Sequence, residues 1–285
     1  MMQRRFYRFA GLEFSMEMLE EIFYTDDRSL SEFRVDAISE PHRFRFAFAE
    51  DLPEPQGTLL SPGANIRVYA WDDGRIRYIG GSQPYIRAEH RGREHFILAK
   101  RSAYSGTIGV KTVLEAMGAE HLIAQNHGFI FHCSFIEYQG KAILFTAPSE
   151  TGKSTQAELW HQYRGAEIIN GDRAAVRLAD GVLLAEGIPF SGSSVYCKNR
   201  SLPLSAIVYL GQAPKTTIRR LHGYEAFSKI WEGVSVNIWD RQDLEQVSAV
   251  VQKAAAEIPV FYMPCTPDED AVRTLEEMLK KEEIL

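Results

Sequence analysis

Cysteine is scarce in this chain. Its three cysteines, Cys133, Cys197 and Cys265, are far apart and odd in number. No pair has metal-ligand spacing and no disulfide framework is suggested, so a reducing compartment is the natural expectation. Long apolar runs are missing too. No stretch approaches the roughly 20 apolar residues that span a bilayer, and the first residues hold no apolar run of signal-peptide length. A soluble cytoplasmic protein with no membrane partner is therefore expected. Basic runs are also absent. The 38 acidic residues outnumber the 32 Lys and Arg, for a net charge of −6, and Arg4-Arg5, Arg91 to Arg93 and Arg219-Arg220 are scattered. Nucleic acid is accordingly not expected as a partner.

What remains is an ordinary globular composition, 45% hydrophobic and 25% charged over 285 residues, enough for one large or two modest domains. The texture changes near Thr107, which predicts a β-rich module over 1–106 and a mixed α/β (α+β) domain over 107–285. In the first segment, Phe6 to Phe14 and Phe44 to Phe48 alternate with a period of two, the mark of half-buried strands. Ile66 to Trp71 and Arg75 to Ile79 flank Asp72-Asp73-Gly74, and Tyr85 to Glu89 and His95 to Ala99 flank Arg91-Gly92-Arg93; both read as hairpins. Nothing in this segment suggests chemistry. In the second, Val110 to Gln125 has helical spacing. Phe129 to Ile136 and Lys141 to Thr146 read as strands joined through Gln139-Gly140. Later strands are expected at Glu167 to Asn170, Ala174 to Leu178, Val182 to Ala185, Leu204 to Leu210 and Val260 to Met263, and closing helices over 242–258 and 268–281.

The most informative stretch is Ala147-Pro148-Ser149-Glu150-Thr151-Gly152-Lys153-Ser154-Thr155, which follows the strand Lys141 to Thr146 and precedes a helical stretch, Gln156 to Tyr163. Strand, tight loop, Gly-Lys-Ser and helix form the arrangement that wraps a chain of phosphates. Backbone N–H groups of the loop and helix start face the anion, Lys153 adds a full positive charge, and the Ser154 hydroxyl suits a magnesium ion. Pro148 to Thr155 are the expected nucleotide-binding residues. Ala147 stands where the G-x-x-x-x-G-K-[ST] pattern has its first glycine, a change that costs little if φ stays negative there. A plain helix cap would need neither the strand before nor the Ser-Thr after.

Three further positions join the loop. One helix and one short strand separate Asp172 from Lys153; packing of that short strand beside the loop strand would bring the carboxylate to the phosphates, as a magnesium ligand or as a proton acceptor. His132 lies on the strand before the loop strand, at the end away from the hairpin turn, where it could contact the transferred group. Glu186 precedes the loop Gly187-Ile188-Pro189-Phe190-Ser191-Gly192 and is a candidate second metal ligand, with Gly192 to Ser194 able to close over the site. Lys198 and Arg200 follow, and read most simply as surface charge.

These pieces together resemble the C-terminal kinase domain of HPr kinase/phosphorylase, which shares its fold with phosphoenolpyruvate carboxykinase. The likeness rests on His132, the 147–155 loop, Ile168-Ile169-Asn170-Gly171-Asp172-Arg173, Ile188-Pro189-Phe190-Ser191-Gly192 and Pro203 to Leu210, and covers roughly 108–285. It implies a phosphate-loop kinase with ATP and Mg2+, in which Lys153, Asp172 and His132 belong to the catalytic centre. Ser154, Asp172 and Glu186 are then the expected metal-facing oxygens. The acceptor would be a hydroxyl, serine above all, of a peptide, protein or small molecule, and the family's habit of assembly makes a homo-oligomer the corresponding expectation. The chain departs from the family at Gly171, where HPr kinase has a first aspartate before the second. It also lacks the stretch that accompanies dephosphorylation, and its first segment is unlike that enzyme's N-terminal domain. A rival of another class is a nucleotide-binding accessory protein of a peptide-modification pathway that transfers nothing.

Overall fold

The computed structural model describes residues 4–18, 28–103 and 109–285. The chain divides into two units, Met1–Ala119 and Glu120–Leu285. The change of texture expected at 106/107 lies outside the described residues.

The first unit is built on one nine-stranded sheet, in the order Arg34–Val35, Arg4–Phe9, Leu12–Met18, His42–Ala49, Glu94–Lys100, Ile86–Arg91, Gly74–Ile79, Ile66–Trp71 and Thr58–Pro62. The period-two sequence around 43–48 does what it should: Phe44 and Phe46 are buried while Arg43 and Arg45 face out. The alternation from Phe6 to Phe14 is not one strand. Ala10 and Gly11 take φ of 48° and 69° and fold it into a hairpin pairing Phe9 with Leu12. The helical pattern expected over 110–125 is likewise two helices, Val110–Met117 and Ala119–Gln125, because Gly118 adopts φ 68° and ends the first. Val110–Met117, expected in the second segment, packs on strands of the first unit's sheet.

The second unit is a mixed α/β layer structure. Gly128–Tyr138 and Lys141–Thr146 form a hairpin through Gln139-Gly140, with Cys133 opposite Thr146. Lys141–Thr146 then pairs in parallel with Ser201–Gln212, which itself pairs in parallel with Val260–Cys265. Strands Gly128–Tyr138 and Ser201–Gln212 are long enough to serve two sets of partners: their other stretches pair with Arg173–Ala179 and Val182–Gly187 respectively. Both faces of the central strands are covered, which explains why Lys141–Thr146 is apolar almost throughout. Ile143 and Phe145 join a core with Trp160 and the helix Glu269–Lys281; Ala142 and Leu144 join a second core with Ile230, Val247 and Val251. No helix among the described residues is long and apolar enough to cross a membrane.

One expectation is overturned by the strand order. Glu167–Asn170 does not lie beside the loop strand; it pairs with Gly128–Tyr138. The reason is occupancy: one edge of Lys141–Thr146 is taken by its hairpin partner and the other by Ser201–Gln212.

The helix that follows the loop, Lys153–Arg164, is fixed by Glu269–Lys281. Asp268 caps that helix by accepting from the Asp270 N–H, and Ala271, Val272, Leu275 and Leu279 form its buried stripe. Arg164 Nε donates to Glu276 Oε2 at 2.6 Å across the pair. Leu275 is fully buried. Leu275→Ala should therefore cost about 2–5 kcal/mol, read as a lower urea midpoint with little change in slope.

Candidate phosphate-binding and carboxylate site

The loop leaves the strand at Ala147, which is buried and is not among the positive-φ residues, so the missing glycine is sterically neutral there. Two positions turn the chain: Glu150 at φ 64° and Gly152 at φ 115°. The second value is one that side chains rarely tolerate, so glycine at 152 is required by the backbone. Helix Lys153–Arg164 then starts with no side-chain cap and no acidic residue in its first turn. Its first N–H groups are left facing the loop, with the positive end of the helix dipole behind them.

Lys153 is 8% exposed. Its ammonium donates to the carbonyls of Ala147 at 3.0 Å and Pro148 at 3.2 Å, and not to a carboxylate. Burial pushes its pKa down, and the negative charge of Asp172 partly opposes that. A half-satisfied cation beside unpaired helix N–H groups is a place where an anion lowers the free energy. Pro148, Ser149, Glu150, Ser154 and Thr155 are exposed along the same turn, with Thr151 and Gly152 between them.

Asp172 reaches this loop across the histidine strand. Its carbonyl accepts from the Cys133 N–H at 3.0 Å. The preceding carbonyl, of Gly171, accepts from two serines, Ser154 Oγ at 3.3 Å and the buried Ser134 Oγ at 3.0 Å. The first helical turn and the acidic turn are thus joined at one oxygen. Asp172 Oδ1 lies 3.4 Å from His132 Nε2, and Oδ2 accepts from Arg173 Nε at 3.2 Å. The hydrogen bond from His132 holds the Asp172 carboxyl below its usual range, with Arg173 adding to the effect against the opposing influence of burial. His132 is fixed through its backbone: its carbonyl accepts from Thr146 Oγ1 at 3.0 Å and its N–H donates to Gly233.

Asn170 organises what lies above, and sequence reasoning gave it no role. It is fully buried. Its Oδ1 accepts from the N–H groups of Asp172 and Arg173, and its Nδ2 donates to the carbonyls of Ile188 and Phe190. The signal available was an asparagine opening a Gly-Asp turn, where its side chain can bond backbone groups two and three residues on. The 188–194 segment is thereby drawn over the carboxylate. A Cβ on Gly192 would meet Asp172 Cγ at 2.8 Å, and one on Gly171 would meet Ser194 Oγ at 2.1 Å.

Glu186 is not part of this group. Arg177 donates to both its oxygens, at 2.6 and 3.2 Å, and Ser201 Oγ adds a third bond. The carboxylate expected as a second metal ligand is thus already satisfied by an arginine and a serine. Lys198 and Arg200 pair with Glu167 and Glu137 at the surface. Cys133 is wholly buried, and desolvation pushes its thiol far up, so it is no nucleophile.

Clefts among the described residues border the loop, three of them as follows. One of about 540 Å³ is lined by Thr151, Thr155, Gln156, Cys265, Thr266 and Pro267. A second of about 400 Å³ runs past Pro148, Tyr209, Arg219, Lys229 and Tyr262. The third, about 340 Å³, holds Ser154, Asp172, Ser191, Ser193, Ser194 and Tyr196. The third alone contains both a loop hydroxyl and the carboxylate.

Asp172 supplies a pH test. Its folded pKa lies below the ordinary 3.8, so its ion pairing stabilises the fold fully above that value and is lost as pH falls through the folded pKa. The stability gap between the parent and Asp172→Asn should be open at about pH 6 and close towards about pH 2. A gap unchanged by acid in urea melts would show that the carboxylate is not held by cations.

No protein-family model matches the chain, and no curated protein matches it in sequence. Among solved structures it is similar to the Hpr(Ser) kinase/phosphatase from Coxiella burnetii, with a TM-score of 0.35 and 10% identity, over 54% of this chain and 90% of that one. At that level the relationship is distant.

Proposed function

We propose that the Glu120–Leu285 unit is an ATP-dependent kinase that transfers the γ-phosphoryl group to a hydroxyl, serine being the expected acceptor. The observation that carries this reading is the Gly171 carbonyl, which ties the first turn of an uncapped helix to the turn that holds Asp172. Cradle and carboxylate are one unit of structure.

In this reading the phosphates lie against the 148–155 loop, where the helix N–H groups and Lys153 meet their charge. Lys153 exchanges its two carbonyl partners for phosphate oxygens. The Ser154 hydroxyl and the Asp172 carboxylate are hard oxygen donors, the kind Mg2+ takes, and the ion when bound would neutralise charge between β- and γ-phosphates. The acceptor oxygen attacks the γ-phosphorus, the bond to the bridging oxygen breaks and ADP leaves. Asp172 orients the attacking hydroxyl and receives its proton, while His132 steadies the carboxylate from the other side. A carboxylate held below its usual range by a histidine hydrogen bond and an arginine is a weak base. Phosphoryl transfer asks chiefly for positioning and charge stabilisation, so a weak base is sufficient.

That same double pairing of Asp172 with His132 and Arg173 is what favours the second reading, a nucleotide-binding accessory protein. If both partners stay in place, the carboxylate never meets an acceptor.

One experiment separates them. The protein is incubated with Mg2+, labelled ATP and a panel of serine-containing peptides and free serine. The expected result is transfer of label. Lys153→Ala, still folded by circular dichroism, should transfer about 10²–10³-fold more slowly. Asp172→Asn should bind ATP and lose transfer. Normal turnover in the lysine variant would defeat the kinase assignment, and stoichiometric ATP binding by the parent without transfer would select the accessory role.

A further inference from the structure

The segment that covers Asp172 carries hydroxyls of its own. Ser191, Ser193 and Ser194 line the same cleft as Ser154 and Asp172. Two of them are engaged. Ser191 Oγ donates to the Ser194 carbonyl at 2.8 Å, and Ser194 Oγ accepts from the Tyr196 N–H at 3.2 Å. Ser193 is exposed, and its hydroxyl has no partner among the described residues. The neighbouring backbone is pressed on the carboxylate: Gly192 adopts φ 58°, and the Cβ it lacks would sit 2.8 Å from Asp172 Cγ. The segment cannot drift far, because it is anchored on both sides. The Asn170 amide holds the carbonyls of Ile188 and Phe190, the Arg173 guanidinium lies 5.1 Å from the Phe190 ring centre, and Tyr196 Oη donates to Glu158 on the loop's helix.

From this we infer that Ser193 is an intramolecular phosphate acceptor: the protein phosphorylates its own covering segment. The inference rests on the kinase reading above, and it names a modification site within it. The step is the same displacement. Ser193 Oγ attacks the γ-phosphorus of the bound nucleoside triphosphate, the bond to the β,γ-bridging oxygen breaks, and the nucleoside diphosphate leaves. The hydroxyl proton passes to the Asp172 carboxylate and on to water. A tethered hydroxyl in the same cleft as the carboxylate has an effective concentration that a dissolved acceptor must match, so it is labelled first. Ser191 would have to give up the hydrogen bond it donates to do the same, and the Ser194 oxygen is already engaged by the Tyr196 N–H.

The test uses the full chain with Mg2+ and γ-labelled ATP and no added acceptor, followed by peptide mapping by mass spectrometry. One phosphate per chain is expected on Ser193, with a rate constant independent of protein concentration, as an intramolecular step requires. The label should be lost in Ser193→Ala, kept in Ser193→Thr and kept in Ser191→Ala. Label on another residue, or a rate that rises in proportion to protein concentration, would overturn the inference. So would an unlabelled protein that nevertheless phosphorylates an added hydroxyl acceptor, and in that case the kinase reading stands alone. Failure to bind ATP at all, measured by titration calorimetry, would sink both together.

Discussion

The second unit turns on the side chain of one buried asparagine. Asn170 has four hydrogen-bonding capacities and uses all of them on backbone: two N–H groups of the turn that follows it and two carbonyls of the segment 18–20 residues further on. Removing such an amide would leave the buried Ile188 carbonyl unpaired at roughly 1–3 kcal/mol, a large fraction of a domain's net stability, and would free three part-buried groups as well. Everything at the acidic turn inherits its position from this arrangement. The Gly171 carbonyl is aimed at Ser154 and Ser134, the Asp172 carboxylate is aimed at His132, and the 188–194 segment is drawn down over both. A polar side chain in this place specifies geometry, which a hydrophobic one of equal volume could not do.

Charge completes what the amide begins. The loop gathers positive potential from two sources that are each incompletely met, an uncapped helix end and a buried lysine bonded only to carbonyls, and no acid in the first helical turn offsets them. Across the Gly171 bridge stands a carboxylate that its neighbours keep ionised. The two halves oppose each other without neutralising each other, since Lys153 and Asp172 feel each other's charge and yet form no ion pair. Directly paired groups would leave nothing for a ligand. Held apart, one at a helix start and the other in a turn, they leave a polar gap with a charge of opposite sign on each side.

Much of this could be read in the chain before folding. The loop was legible because its chemistry is local: a strand, a glycine that must take φ 115°, a lysine and a helix are all consecutive in sequence. The hairpin through Gln139-Gly140 was legible for the same reason, and it is why His132 falls near the loop. What failed was non-local. Glu167–Asn170 was expected beside the loop strand, but the parallel partner Ser201–Gln212 comes from sixty residues away and takes that edge. Glu186 had the right residue type near the right loop, and only the register of its strand shows that it faces Arg177 and Ser201 instead. Asn170 went unread because its four partners lie on two segments that no spacing rule connects. The breaks at Ala10-Gly11 and Gly118 were missed because hydrophobic periodicity runs on through a turn when both sides of the turn face the same core.

Glycine at position 171 has a steric cause. A side chain at that position would begin 2.1 Å from Ser194 Oγ and 2.5 Å from Ser194 Cβ. Two adjacent acids in this turn are therefore incompatible with the covering segment as it lies here; one or the other must give way. This chain has the cover and a single carboxylate. Gly192 shows the same choice from the opposite side, since any side chain there would strike Asp172 and carry a φ of 58° as well. Two glycines facing each other across the turn and the segment thus set the distance between them, close enough to shield Asp172 from bulk water on one side. On the other side Asp172 lines the cleft it shares with Ser154.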